Sequence, residues 1–397
     1  MRMIALAIGA VVALPIAAAS GQELRIGFLN TTSGPGAIIG NDMGRGWQLG
    51  LEHQGWTKDG DKLGGVPTRV FAADDQQKVE VGIAETDRLI KSAKVHLIAG
   101  NIWSNVLMAM HKPAVEAKVG VLSTNAGPSP LAGAACTPYF LSTSWNNDQM
   151  PEAMGMVLSD MPIQRLALMA PNYQAGKDAI AGFERAYKGK AAIADRILFK
   201  LGESDFQADI SKLRALKADA VFLFAPGAMG VAFMKQWAAA GANREMKLYD
   251  VFTVNWVTLG PIGDAALGSF HTNFWDPESP EPANQKFVKG FQAKFGRMPS
   301  HFAAQAYDAA TLIAATAAKL DGKTDDVLAL MKAMRKTEFA SVRGKFAFNV
   351  NGMPIQNFYL REVVKDSAGK PTIKTIRTVA TAYKDAYWEQ CPAAMRY

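Results

Sequence analysis

The chain is short of the residues on which most enzymes and metalloproteins depend. Its 397 residues include two cysteines and five histidines. The histidines (His53, His96, His111, His271 and His301) are scattered, and neither H-E-x-x-H nor G-x-S-x-G occurs. Zinc-protease and serine-hydrolase chemistry therefore lack their constellations, and no cysteine stands in a reactive setting. The expectation is a protein that is not an enzyme and that carries no metal and no cofactor. Lysine and arginine are spread along the sequence, so a formal charge of +7 implies mild attraction to anions and no nucleic-acid footprint. Low-complexity tracts are absent and 49% of residues are hydrophobic, which excludes disorder. After the N-terminus, no apolar run reaches the roughly 20 residues that a spanning helix needs.

The N-terminus itself is distinctive. "MRMIALAIGAVVALPIAAAS" has one arginine, an uncharged apolar stretch and the small-residue site Ala17-Ala18-Ala19, the pattern of a cleavable secretory signal over residues 1–19. Pro15 and the small residues at its end argue against a membrane anchor, and no cysteine follows to carry a lipid. An exported chain meets oxidising conditions, where an even pair of cysteines is more often bridged than free. A Cys136–Cys391 disulfide is expected on that ground. The mature chain is long enough for two domains of roughly 150 to 200 residues each.

"LNTTSGPGAIIG", residues 29–40, follows the apolar run "LRIGF" and leads into "NDMGRGWQLGLE". Strand, glycine-rich turn and helix is the layout of many phosphate sites. Gly34, Gly36 and Gly40 give G-x-G-x-x-x-G, however, and no Gly-Lys-Ser/Thr follows. The dinucleotide and P-loop spacings are both missing, which leaves a turn shaping the edge of some other cleft.

Short apolar runs ("LRIGFL", "PTRVFAAD", "VHLIAG", "VGVLST", then "RLALMA", "AIADRILF", "ADAVFLFA", "MKLYDVF") alternate with helical patterns. In one of these, Val79, Ile83, Thr86 and Ile90 recur at helical spacing. Runs apolar throughout indicate strands buried on both faces, hence mainly parallel, helix-covered sheets whose ligands sit beyond the strand C-termini. The rhythm occurs twice, with breaks at "CTPYFLSTSWNNDQMPEAMG" and "HTNFWDPESPEPANQ". A long helical stretch from about residue 285 to 320 follows and completes a domain already begun. Two α/β lobes with several crossings form a hinged clamp with its ligand site between them.

In "RIGFLNTTSGPGAIIGNDMGRGWQLGLE", "AADDQQKVEVGIAETDRLI", "LIAGNIWSN", "VGVLSTNAGPSPL", "PNYQAGKDAIAGFE" and "PSHFAAQAYDAA", the chain resembles the periplasmic solute-binding proteins of ABC importers, in the branch that includes the Leu/Ile/Val-binding proteins. The resemblance spans essentially the whole mature chain. It implies an α/β, two-lobed type I periplasmic binding protein, each lobe a mainly parallel sheet flanked by helices, joined by three hinge crossings. By that likeness lobe 1 takes residues 22–142 and 276–345, and lobe 2 takes 143–275 and 346–397. A monomer is implied, with a small carboxylate ligand and an inner-membrane ABC permease as partners. The glycine loop would then line the cleft, its backbone passing close to the solute.

Candidate ligand-binding residues follow from strand ends and from this likeness. Ser104 and Asn105 open a helix, where hydroxyl, amide and free N–H groups suit a carboxylate. Matching loops of the family bind the ligand carboxylate, which adds Thr124, Asn125 and the backbone of Ala126. Lobe 2 offers Trp145, Tyr173, the stretch Phe224 to Gly227 with Pro226, Phe252 and Trp275. Each aromatic alone is as readily core. In amino-acid binders of the family, an acidic residue holds the α-ammonium in the segment that reads "KLYDVFTVNW" here. Phe252 stands at or beside that position and Asp250 two residues before it. An aromatic acid of benzoate or phenylpropenoate type is expected. If Asp250 fills the position instead, branched-chain amino acids become the ligand. A ligand-sensing module shares the fold but normally continues into a membrane segment.

Overall fold

The computed structural model describes residues 23–397, so the signal-peptide expectation for residues 1–19 lies outside the described residues. From its start the chain forms β1 (Leu24–Asn30), α1 (Ala37–His53), β2 (Lys62–Leu63), β3 (Val66–Asp74), α2 (Val79–Lys91), β4 (Leu97–Gly100), α3 (Ser104–Glu116), β5 (Gly120–Ser123), α4 (Ser129–Ala132) and β6 (Phe140–Ser142). Their strands make a six-stranded sheet in the order β2-β3-β1-β4-β5-β6, parallel except at the short β2 edge. Then come α5 (Gln149–Ser159), β7 (Arg165–Pro171), α6 (Gln174–Ala186), β8 (Ala192–Phe199), α7 (Gln207–Ala215), β9 (Ala220–Phe224), α8 (Ala228–Ala239), β10 (Lys247–Val251), α9 (Leu259–Ile262) and β11 (Phe270–Asn273). Three helices follow, α10 (Pro282–Phe295), α11 (His301–Lys319) and α12 (Val327–Arg335), and last β12 (Ala347–Phe348), β13 (Pro354–Lys365) and β14 (Pro371–Tyr383). The second sheet has eight strands, ordered β12-β13-β11-β10-β9-β7-β8 with β14 paired to β13.

The apolar runs explain both sheets. Every residue of β4, β5 and β9 is buried, as strands covered by helices on both faces must be. Helices encoded late in the chain cover the first sheet: α11 packs along α1, and α12 lies by β5 and β6. Gly46 and Gly50 make the α1–α11 approach possible, since a Cβ at Gly46 would lie 2.1 Å from the Ala303 carbonyl oxygen. The chain thus passes between the two sheet layers at 143–148, 274–281 and 336–346.

Several elements depart from the sequence pattern. The helix after the glycine turn begins at Ala37, inside the stretch read as turn. The buried stripe of α2 is Gly82, Thr86 and Leu89, while Ile83 is 40% exposed. Gly82 sets this rotation by letting α2 press on Val106 of α3. The single long helical run is two helices, because Gly296 ends α10 in the left-handed region and Ser300 starts α11 by accepting from the Phe302 N–H. The antiparallel β13–β14 hairpin is an addition to the α/β rhythm. Its turn is held by Asp366, which accepts from the N–H groups of Ala368 and Lys370.

Cys136 and Cys391 are joined by a disulfide, their Cα atoms 5.5 Å apart, which ties the C-terminal segment to the loop between α4 and β6. On the chain-entropy account a bridge across 255 positions contributes up to about 5 kcal/mol.

Candidate functional site

The C-terminal ends of β1, β4 and β5 in the first sheet and of β7, β9 and β10 in the second turn towards each other. Between them is a pocket lined by residues from both sets of strand ends, the place where α/β sheets hold small molecules. Its polar end is the start of α3. Trp103 is the N-cap residue, in extended conformation, and no side chain caps the helix, so the first-turn N–H groups remain available to an anion. Ser104 is buried, and its Oγ accepts from Asn147 Nδ2 at 3.1 Å, which frees the hydroxyl proton to donate. Asn147 is braced from behind. Its Nδ2 also donates to Asp178 at 2.8 Å, and its Oδ1 accepts from the Gly127 N–H at 3.1 Å. Burial, then the nearby Asp148 charge, push the Asp178 carboxyl up to about 6.

The rest of the pocket is aromatic. A chain of ring contacts runs from Trp103 to Tyr173 (6.2 Å), Tyr173 to Phe224 (6.2 Å), Phe224 to Phe252 (5.3 Å) and Phe252 to Trp145 (4.5 Å), ending on Phe302 (6.5 Å). Phe252 has a φ of 61°, a left-handed conformation unusual for an aromatic residue and frequent where a loop serves a site. The loop over-determines it: Asn255 Nδ2 donates to the Phe252 carbonyl, and Asp250 accepts from the Val254 N–H at 2.9 Å. Asp250 is fully buried and does not line the pocket, and burial pushes its carboxyl up to about 8. Among the described residues, none that lines the pocket carries a charge.

Of the residues singled out by sequence, Ser104, Asn125, Ala126, Trp145, Tyr173, Phe224, Pro226 and Phe252 line this pocket. Asn105, Thr124 and Trp275 do not. Asn105 follows Ser104 on the helix, one helical step away from the pocket face. The Thr124 hydroxyl instead meets Met43 Sδ at 3.0 Å inside the first lobe. Trp275 is core, its Nε1 donating to Asn284 at 2.8 Å and its ring lying edge-on to Phe287. Two further expectations need correction. The Ala126 N–H, expected to face the ligand, donates to the Asn101 carbonyl, and the Asn125 amide is engaged at both ends by Ile102 and Gln305. These residues shape the wall. The glycines of the opening loop serve packing within the lobe: a Cβ would strike the Trp103 ring at Gly36 and the Thr31 carbonyl at Gly40. Ile39, Ile102, Trp103, Asn147, Ala175 and Phe302 also line the pocket and were not picked out. Trp103 and Asn147 neighbour chosen residues in "NIWSN" and "SWNND", whereas Phe302 arrives from a distant helix without a local signal.

The sequence pattern of the family described as periplasmic binding protein matches residues 23–370. The chain belongs to that family. It is 26% identical over 385 residues to Leu/Ile/Val-binding protein homolog 6 of Brucella melitensis, spanning 95% of this chain and 97% of that one. Among solved structures it is similar to an R. palustris ABC-transporter solute-binding protein in complex with benzoate, at 30% identity over 93% of this chain and 99% of that one, TM-score 0.84. A solute-binding protein from Rhodopseudomonas palustris BisB5, in complex with 3,4-dihydroxy benzoic acid, is 26% identical over 92% and 99% of the chains, TM-score 0.85. The protein is therefore a solute-binding protein of the ABC-transporter type with the type I periplasmic fold. Among its described residues no helix is long and apolar enough to cross a membrane.

Proposed function

We propose that this periplasmic binding protein captures an aromatic carboxylate of benzoate type between its lobes and, acting in the periplasm as a monomer, presents it to the permease of an ABC importer. The observation that carries this reading is the pocket's uncharged lining. An amino acid's ammonium would be buried without a counter-charge, which is costly. Asp250, two residues before Phe252, is turned into its own loop. A carboxylate, by contrast, finds the Ser104 hydroxyl and the uncapped start of α3. An aryl ring fits among Tyr173, Phe224, Phe252 and Trp145 with the offset and tilted geometries aromatic pairs prefer. The benzoate-class acids named for the two similar solved proteins support the same class. The Leu/Ile/Val name of the curated relative supports a second reading, a branched-chain amino acid held through Asp250.

Calorimetry with benzoate, 4-hydroxybenzoate, leucine and valine tests the reading. Aromatic acids should bind. Ser104→Ala should weaken them about 10-fold or more, the size of a lost hydrogen bond to a charged group, and Trp145→Ala should abolish measurable binding. Tight binding of leucine and valine with no response to the aromatic acids would overturn the proposal in favour of the second reading.

A further inference from the structure

The far end of the ring chain holds a buried polar group without a partner. His301 opens α11, is 2% exposed, and lies against three of the pocket's rings, Trp145 (5.8 Å), Phe252 (5.9 Å) and Phe302 (4.0 Å). Its Nε2 is buried and makes no hydrogen bond. The other ring nitrogen fixes which atom carries the proton. The Trp275 N–H donates to Asn273 Oδ1 at 3.1 Å, so the amide must offer its NH₂ to His301 Nδ1, 3.1 Å away, and Nδ1 accepts. Burial, then the positive Arg361 and the neighbouring His271, hold the ring's pKa well below its usual value, so the imidazole is neutral. A neutral ring that accepts at Nδ1 is protonated at Nε2. An N–H donor is thus buried directly behind the lining rings of Trp145, Phe252 and Phe302, with nothing to receive it. Leaving such a group unmade is unfavourable, and a site built around one discriminates strongly between ligands that satisfy it and ligands that do not.

We propose that His301 is a specificity-determining residue: its Nε2–H donates to an oxygen substituent on the ligand's ring, remote from the carboxylate at Ser104. This rests on the aromatic-carboxylate reading and narrows it to aryl carboxylates bearing a ring hydroxyl. A methyl group in the same place fills similar volume but leaves the donor unpaired. The comparison of hydroxyl with methyl therefore isolates the hydrogen bond from the packing.

Calorimetry with 3- and 4-hydroxybenzoate and their 3- and 4-methyl counterparts tests it. The better hydroxybenzoate should bind about tenfold or more tightly than the methylbenzoate of the same pattern. In His301→Phe the ratio should fall to near one. Nitrogen NMR of the wild type supplies a reading independent of how the variant folds. The His301 Nε2–H resonance should shift downfield with the hydroxybenzoate and stay in place with the methylbenzoate. A wild-type ratio near one, a ratio unchanged in His301→Phe, or a resonance indifferent to the hydroxyl would each overturn the assignment and leave the aromatic reading standing. Failure of every aromatic acid to bind would remove that reading and this assignment together.

Discussion

Asp250 and Phe252 show how two positions decide what a pocket accepts. One residue before the end of β10, Asp250 is fully buried with its carboxyl accepting from the Val254 N–H, and the left-handed turn at Phe252 swings the ring into the pocket. The carboxyl is held near pKa 8 by burial, against about 3.9 in an unfolded chain. Its folded-state pKa is raised, so the stability it contributes is complete below about pH 4 and is lost as pH climbs through 8. Asp250→Asn keeps an oxygen for the Val254 N–H and removes the titration. The variant should match the wild type at pH 4, surpass it by at most about 1.4 kcal/mol for each further pH unit, and stop gaining above pH 8. Melting curves at pH 4, 6, 8 and 9 check this, and a gap constant across them would mean that the carboxyl is ionised in the fold. Sequence position brings Trp145, Tyr173 and Phe252 to notice because each follows a strand end or a crossing, where α/β sheets expose side chains to their clefts. Trp275 occupies an equivalent place in the chain yet is core, since its indole N–H finds Asn284 on the following helix. Local pattern carries no information about such a partner.

At the scale of elements, the apolar runs place the parallel strands because burial on both faces leaves a continuous signature in sequence. Helix ends and faces are less legible, being set by contacts between distant residues. The α2 face turns on Gly82 meeting Val106, and the α1–α11 contact turns on Gly46 meeting Ala303. The hairpin of β13 and β14 leaves no such trace because only one residue of β14 is buried, so the buried-strand signature is lacking. The α1–α11 contact yields a prediction in which two like substitutions have opposite signs. A Cβ at Gly44 would stand 3.3 Å from the Asn30 side-chain nitrogen, which has only to give by a few tenths of an ångström, whereas a Cβ at Gly46 would overlap backbone. Gly44→Ala should therefore be neutral or stabilising by up to about 1 kcal/mol through helix propensity. Gly46→Ala should destabilise by about 2 kcal/mol or more by forcing the two helices apart. Urea unfolding of the pair checks both signs. Equal effects would mean that the helices are free to separate without cost.

For the whole molecule, the question is what holds the lobes against each other. Hydrogen bonds and apolar contacts both cross the cleft: the Gly127 N–H donates to Asn147 at 3.1 Å and the Ser129 N–H to Asp178 at 3.1 Å. Asn147 bonds to Ser104, and the Trp103 and Tyr173 rings meet at 6.2 Å. Ile39 of the first lobe also lies 3.2 Å from where a Cβ on Gly227 of the second would stand. Closing on an empty pocket buries the uncapped start of α3 and the Ser104 hydroxyl without an acceptor, a desolvation that opposes closure. A bound carboxylate supplies the acceptor, and its ring fills the space between the aromatic walls. Both contributions exist only when the lobes are together, so the ligand favours the closed form by its differential affinity for it. Small-angle scattering should show a smaller radius of gyration with a bound aromatic acid than without. At 100 times its Kd the ligand should also add about 2.7 kcal/mol to stability. Both readouts are needed, because stabilisation alone follows from any binding. Stabilisation with an unchanged radius would mean that the lobes stay closed without ligand, and the energy of closure would then have to come from the interlobe contacts alone.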